Sequence, residues 1–143
     1  MFAKNISRFT TKHPIFSKSA EIGVRLPLMA TSGFGIDVVD VKRFARFRLS
    51  RDHRFLTDTF SRAEIEYCYS FTDPAPHLAG TFAAKEAVFK ALERGDILLS
   101  SIEIRRSKSG APGVFVSGRV KKAVLVSISH TATLAVAAAI RRS

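Results

Sequence analysis

Tryptophan is absent from this 143-residue chain, tyrosine occurs twice and cysteine once, at Cys68. A single cysteine excludes an intrachain disulfide and any four-cysteine zinc site. It suits a reducing compartment, and Cys68 itself reads as a small buried hydrophobe rather than a nucleophile. The longest purely apolar run, Leu134 to Ile140, is seven residues. A bilayer-spanning helix needs about 20, so no membrane segment is expected. Acidic residues are scarce, 12 against 23 Lys and Arg, which gives a formal net charge of +11. Such a balance attracts an acidic protein, a nucleic acid, an anionic lipid or a phosphorylated substrate. Gly33-Phe34-Gly35 lacks the third glycine of a dinucleotide fingerprint, and no phosphate-binding GxxxxGK[ST] loop or His-rich zinc spacing occurs.

What is present suffices for one domain with a sizeable core: 46% of residues are hydrophobic and 12 are Phe. Residues 1–33 stand apart, rich in Ser, Thr and basic side chains with one acid, Glu21. Three readings compete for them: an organelle transit peptide, translation upstream of a start at Met29, or an ordered arm with Ile22 to Leu28 as a strand. The body from residue 34 onward is the domain proper, and it is expected in the cytoplasm, or in an organelle if the extension is a transit peptide.

The pattern along the body is strand, helices, then mostly strands, an α+β order rather than strict alternation. Phe34–Val39 reads as a buried strand and Asp40–Leu49 as a helix capped by Asp40, with Val41, Phe44 and Ala45 inward. His53–Phe60 is expected as a connector. Ser61-Arg62-Ala63-Glu64 is a capping box that opens a helix through Tyr69. Asp73-Pro74-Ala75-Pro76 is a break, and a long helix follows from His77 to Arg94, ended by Gly95. Ile97–Arg106 and Gly113–Ser117 are strands joined by a turn at Gly110, Arg119–Ala123 is a short helical piece, and Val124–Ser129 pairs with Leu134–Ile140.

Candidate chemistry rests on a few positions. Asp37 sits in an apolar strand, where an unpaired charge is costly to bury; a metal or a cationic partner would resolve it, and a solvent-facing or capping residue is the plain alternative. Glu86 and Lys90 are four apart on the long helix, so with Lys85 they form at least an ion-paired wet face. Two acids on separate elements suit a hard divalent cation that keeps positions for phosphates and water. Ser127-Ile128-Ser129-His130 could offer hydroxyls and an imidazole to a phosphate at a sheet edge. Arg43, Arg46, Arg48, Arg51 and Arg54, with Phe47 among them, read as a docking surface for an acidic partner.

Several segments, in order, carry a resemblance. Gly35-Ile36-Asp37-Val38-Val39-Asp40-Val41-Lys42-Arg43 and Phe82-Ala83-Ala84-Lys85-Glu86-Ala87, followed by Lys90-Ala91, resemble the two signatures of the holo-acyl-carrier-protein synthases, the short class of 4′-phosphopantetheinyl transferases. Phe60 to Glu64, Ile102-Glu103-Ile104, Gly110-Ala111-Pro112 and Val126 to Thr131 are similar to the family's other landmarks. The resemblance spans residues 33–141. It implies an antiparallel sheet packed against a long central helix, assembled as a trimer with coenzyme A between neighbouring subunits and some of the Phe side chains in the subunit interfaces. It implies transfer of 4′-phosphopantetheine from coenzyme A to a serine of an apo acyl-carrier protein, releasing adenosine 3′,5′-bisphosphate, in support of fatty-acid or polyketide synthesis. Asp37 and Glu86 would hold Mg²⁺, with Mn²⁺ as a substitute, and Lys90 would contact the pyrophosphate. Gly110, Pro112, Ser129 and His130 would contact the nucleotide end. Helix 41–54 would dock the acidic carrier through Arg43, Phe47, Arg51 and Arg54. The resemblance leaves the general base open. The chain departs from it in the extension 1–33 and in having one glycine, Gly95, after the central helix. The rival function is a basic RNA-binding α+β module without catalysis; the absence of an RNP-like aromatic signature makes nucleic acid the weaker partner.

Overall fold

A computed structural model describes residues 31–143; of the extension expected over 1–33, residues 1–30 lie outside this range, while Thr31 to Gly33 belong to the first strand and so to the folded unit. Six strands and four α-helices run in the order β1 (Thr31–Asp40), α1 (Lys42–Ala45), α2 (Arg54–Thr59), α3 (Arg62–Cys68), α4 (Pro74–Leu92), β2 (Ile102–Arg106), β3 (Pro112–Val116), β4 (Arg119–Val120), β5 (Val124–His130) and β6 (Leu134–Arg142). They form two antiparallel three-stranded sheets, ordered β1-β6-β5 and β2-β3-β4. The expected α+β class and antiparallel pairing are therefore found.

Period-two alternation divides the larger sheet into two faces. Gly33, Gly35 and Val39 of β1 are buried, as are Ala135, Ala137 and Ala139 of β6, and all of them face α4. Phe34, Ile36 and Val38 point the other way with Leu125, Leu134, Val136 and Ile140, and all are exposed. Gly33 and Gly35 are required by closeness. A Cβ at either position would lie 2.0 Å from a carbonyl oxygen of α4, of Ala91 and Ala87 respectively. At its other end α4 crosses β5, where a Cβ on Gly80 would meet Ile128 Cγ2 at 3.2 Å.

Local chemistry explains where elements differ from the sequence-based expectation. The helix expected over 40–49 is a single turn. The Asp40 carboxylate accepts from the Lys42 amide at 2.8 Å, while the Val41 amide donates to the Thr133 carbonyl at 2.9 Å and ties the chain to the β5–β6 turn. Beyond it the Phe47 carbonyl accepts from the Ser50 amide and the Tyr69 hydroxyl, so turns replace the helix. The connector 53–60 contains α2, capped by His53 Nδ1, which accepts from the Phe55 amide at 3.1 Å. Asp73-Pro74-Ala75-Pro76 starts α4 instead of breaking the chain: Asp73 caps it through the Ala75 amide, and Pro74 occupies the first turn, where its missing N–H costs nothing. The helix ends at Glu93, in the left-handed conformation at φ 53°, not at Gly95. Residues 99–101 form a 3₁₀ turn, so β2 begins only at Ile102. The short helical piece expected at 119–123 is instead β4, paired to β3 across Ser117-Gly118, both at positive φ, the signature of a tight hairpin. The capping box at Ser61 and Glu64 and the β5–β6 pair stand as expected.

Phenylalanine builds the part of the core where α1, α2 and α4 meet. Phe44 lies 5.5–6.3 Å, centroid to centroid, from Phe47, Phe55, Phe60 and Phe82. Phe47, expected as a docking contact, is 1% exposed and stacks on Phe55 at 5.5 Å. Its ring is therefore not available to a partner. Phe47→Ala is expected to cost about 3–5 kcal/mol of stability, read from urea denaturation; a cost within the range of a surface substitution would contradict its place in the core.

Candidate active site

Sheet and helix bring the first set of predicted residues together. Asp37 lies on the α4-facing side of β1, two residues from the Gly35 contact, with its side chain 18% exposed. Its Oδ1 accepts from Lys90 Nζ at 2.8 Å, and the same ammonium donates to the Ile36 carbonyl at 2.9 Å. Lys90 thus turns to β1 rather than to Glu86, and the i,i+4 pair expected on a wet face is absent. Glu86 is half-buried on the same helix. Burial holds its carboxyl above the usual glutamate range, and the charge of Asp37 pushes it further up, against weaker opposing pulls from Lys90 and Arg43. Two carboxylates close enough to repel, beside two cations, make a strongly polarised cluster where α4 crosses β1.

The donor set can be tested against a metal. Among the described residues no group of three or more His, Cys, Asp or Glu side chains converges on one point. A full protein cage for a transition metal is therefore not built here. Two carboxylates fit Mg²⁺, which binds through one or two such groups and fills its remaining positions with water and substrate phosphates. The upward push on Glu86 by Asp37 is a repulsion that a divalent ion between them would relieve.

Lys85 is not part of the wet face expected for it. It is fully buried, and its Nζ lies 2.8 Å from Glu64 Oε2 and donates to the Ile102 carbonyl. Glu64 was legible only as the capping-box acid, a role it performs while also accepting the Ile104 amide at 2.7 Å.

A second set of predicted residues meets around a cavity of about 340 Å³ at the N-terminal end of α4. Gly110, Pro112 and His130 line it together with Tyr67, His77 and Arg106. His77 stacks on Phe71 at 3.5 Å and meets His130 edge-on at 5.1 Å. Burial lowers the His77 pKa, and the charges of His130 and Arg106 lower it further against Asp73. Ser129 does not join them. One residue before His130 on β5, it lies on the opposite, outward face of the sheet. Tyr67, Phe71, His77 and Arg106 were missed because they come from three separate segments with no motif of their own.

The arginines around α1 divide by their partners. Arg48 is held by Asp73 at 2.8 Å and Arg54 by Asp58 at 3.3 Å. Arg43, Arg46 and Arg51 instead lie over aromatic rings, of Phe82, Phe47 and Tyr69, at 5.9, 4.7 and 5.6 Å.

Comparison with known proteins is decisive at the level of family. The 4′-phosphopantetheinyl transferase superfamily model matches residues 33–139. The chain belongs to the 4′-phosphopantetheinyl transferase superfamily. Within that superfamily it is 42% identical over 106 residues to a holo-[acyl-carrier-protein] synthase of Thermodesulfovibrio yellowstonii, covering 73% of this chain and 93% of that protein. It is 39% identical over 120 residues to the synthase of Chlamydia caviae, covering 78% and 98%. It is thus an enzyme of the holo-[acyl-carrier-protein] synthase type. Among solved structures, the Helicobacter pylori synthase in complex with coenzyme A superposes with a TM-score of 0.63 at 30% identity, covering 77% of this chain and 99% of that one. The Bacillus anthracis synthase, in complex with coenzyme A (3′,5′-ADP), gives 0.66 at 27% identity, covering 79% and 97%. The superfamily's α+β fold, as these transferases have it, is the fold of this chain.

Proposed function

We propose that this transferase moves 4′-phosphopantetheine from coenzyme A to a serine of an apo acyl-carrier protein and releases adenosine 3′,5′-bisphosphate. The reading is carried by the meeting of Asp37, Glu86 and Lys90 across the β1–α4 contact. Asp37 and Glu86 would hold Mg²⁺, with Mn²⁺ as a substitute, and the bound ion supplies charge neutralisation for a pyrophosphate. Lys90 is the adjacent point charge for the same oxygens. The serine Oγ–P bond forms, the bridging P–O bond of the pyrophosphate breaks, and the bisphosphate departs with its electron pair. The serine proton would pass to a carboxylate at this site, directly or through a water. The cavity lined by Gly110, Pro112 and His130 offers the Arg106 guanidinium and aromatic faces to the nucleotide end. Supply of holo-carrier protein for fatty-acid or polyketide synthesis follows from this reaction. The assignment of 34–143 as the transferase unit, with Thr31 to Gly33 joined to it, and of 1–30 as a separate extension belongs to the same proposal. A cytoplasmic setting accords with the described residues containing no helix long and apolar enough to cross a membrane.

Docking of the acidic carrier is assigned to the arginine face. Arg43 and Arg51 keep their place in it, and Arg46 joins them, because their guanidinium groups rest on aromatic rings rather than on carboxylates. Arg54 contributes less, since Asp58 neutralises it. Trimer assembly is proposed through the outward sheet face, where Phe34, Ile36 and Val38 are 57%, 50% and 57% exposed. A contiguous apolar face of this kind marks an interface, and a neighbouring copy would bring coenzyme A contacts from outside the chain.

Three measurements check these statements. Intact mass of apo carrier protein after incubation with coenzyme A and Mg²⁺ should rise by one phosphopantetheine; Asp37→Ala or Glu86→Ala should remove the gain, and persistence near the parent rate refutes their roles. Arg43→Glu with Arg51→Glu should raise the Michaelis constant for the carrier at low salt, with the effect shrinking as salt is added; an unchanged constant overturns the docking face. Ile36→Lys should shift the sedimentation of the protein from trimer to monomer, whereas a parent that sediments as a monomer refutes the assembly.

A further inference from the structure

The central helix is unusually smooth. Ala75, Ala79, Ala83, Ala84, Ala87 and Ala91 are all fully buried, and Gly80 is buried with them. The larger buried side chains on α4 are Pro74, Leu78, Thr81, Lys85, Val88 and Leu92, with Phe82 and Phe89 partly buried against the core. Helix rotation and axial register are ordinarily fixed by side-chain ridges seated in grooves. On the side that faces the β1-β6-β5 sheet the rod carries mainly methyl groups, so few side-chain ridges hold its angle there; Phe82, on another flank, seats in the aromatic cluster. Yet Glu86 and Lys90 act only if α4 is held at one angle to β1.

Beside the weak buried Cys68–Thr81 contact at 3.7 Å, α4 makes a charge-assisted interaction that is both directional and deep. Lys85 Nζ and Glu64 Oε2 are 2.8 Å apart, with side chains 0% and 1% exposed. The ammonium also donates to the Ile102 carbonyl, and Glu64 accepts the Ser61 amide at 2.8 Å and the Ile104 amide at 2.7 Å. These bonds join α4 to α3 and to β2, and each has a defined direction. Burial of an ion pair is a poor source of stability, because hydrophobic replacements are often neutral or better; its best-attested use is to specify register. Successive helix residues are about 100° apart. Fixing Lys85 in the core on the side of α3 and β2 therefore fixes the direction of Glu86 and, four residues on, of Lys90 toward β1.

We propose that the buried Glu64–Lys85 pair is a positioning device that sets the rotation and register of α4, so that Glu86 and Lys90 meet Asp37. Both are positioning residues: neither lines the cavity at the N-terminal end of α4 nor touches Asp37. The inference rests on the reading of Glu86 and Lys90 as site residues. It differs from a stabilising role in what a neutral replacement would do. Glu64→Gln with Lys85→Met removes both charges and nearly preserves volume, keeps one acceptor oxygen for the Ser61 or the Ile104 amide, and leaves the Ile102 carbonyl without the lysine donor.

The test compares parent, Lys85→Met and the double variant by thermal melting, hydrogen exchange and transfer kinetics. Lys85→Met alone, which strands the Glu64 carboxylate, should melt well below the parent. The double variant, with no stranded charge, should melt clearly above Lys85→Met, yet exchange amides of residues 80–92 at least about tenfold faster than the parent while β5 and β6 are unchanged. Its turnover should fall at least about tenfold with the carrier's Michaelis constant unchanged. A double variant with the parent's α4 exchange overturns the proposal. So does one that melts as low as Lys85→Met, since the pair would then be a stability element. Faster α4 exchange with turnover at the parent's level would leave the register role standing and remove Glu86 and Lys90 from the chemistry.

Discussion

Everything in this molecule depends on how closely α4 lies on β1. Two glycines on the strand and two alanines on the helix reduce the contact to backbone against backbone, so close that one added methyl group at Gly33 or Gly35 would collide with a carbonyl oxygen. That approach lets Lys90 reach the Ile36 carbonyl and the Asp37 carboxylate at the same time. It also brings Glu86 within the field of Asp37. A bulkier interface would separate the two acids and leave each an ordinary surface charge.

The same economy creates a weakness that the fold answers elsewhere. Small residues allow closeness but give few ridges to hold an angle. The aromatic cluster of Phe44, Phe55, Phe60 and Phe82 braces one flank of α4, and the Glu64–Lys85 pair anchors another. Glu64 does two jobs at one address. Its carboxylate completes the N-cap of α3 and receives a charge from the middle of α4, so the start of one helix and the angle of the next are linked.

The basic character of the chain is organised, not diffuse. Arg48, Arg54, Arg62, Arg94, Arg105 and Arg141 are each matched to a carboxylate. Arg43, Arg46 and Arg51 are laid on rings that hold their planes while leaving their charge uncompensated. This contrast turns a run of similar residues into a defined surface next to the proposed site, where an acidic carrier would approach.

Much of this was legible in the sequence, and the limits have physical causes. Strand periodicity placed β1, β5 and β6, and the Ser61–Glu64 spacing placed α3, because those signals are local and strong. The signatures around Asp37 and Glu86 identified the family. The start of α4 at Pro74 was misread because proline breaks a helix interior but suits its first turn, and only the surrounding backbone distinguishes the two. Phe47 read as a surface anchor because it lies among arginines in the segment 41–54 that the resemblance assigns to carrier docking; the chain leaves the helix after one turn and the ring is buried in the core. Lys85 read as solvated because lysine nearly always is, and the carboxylate that accepts it lies 21 residues away in sequence. Sequence alone determined which chemical groups exist and which short segments order themselves. Tertiary structure decided which groups meet, since burial and pairing of charge are set by contacts between distant segments that no local pattern encodes.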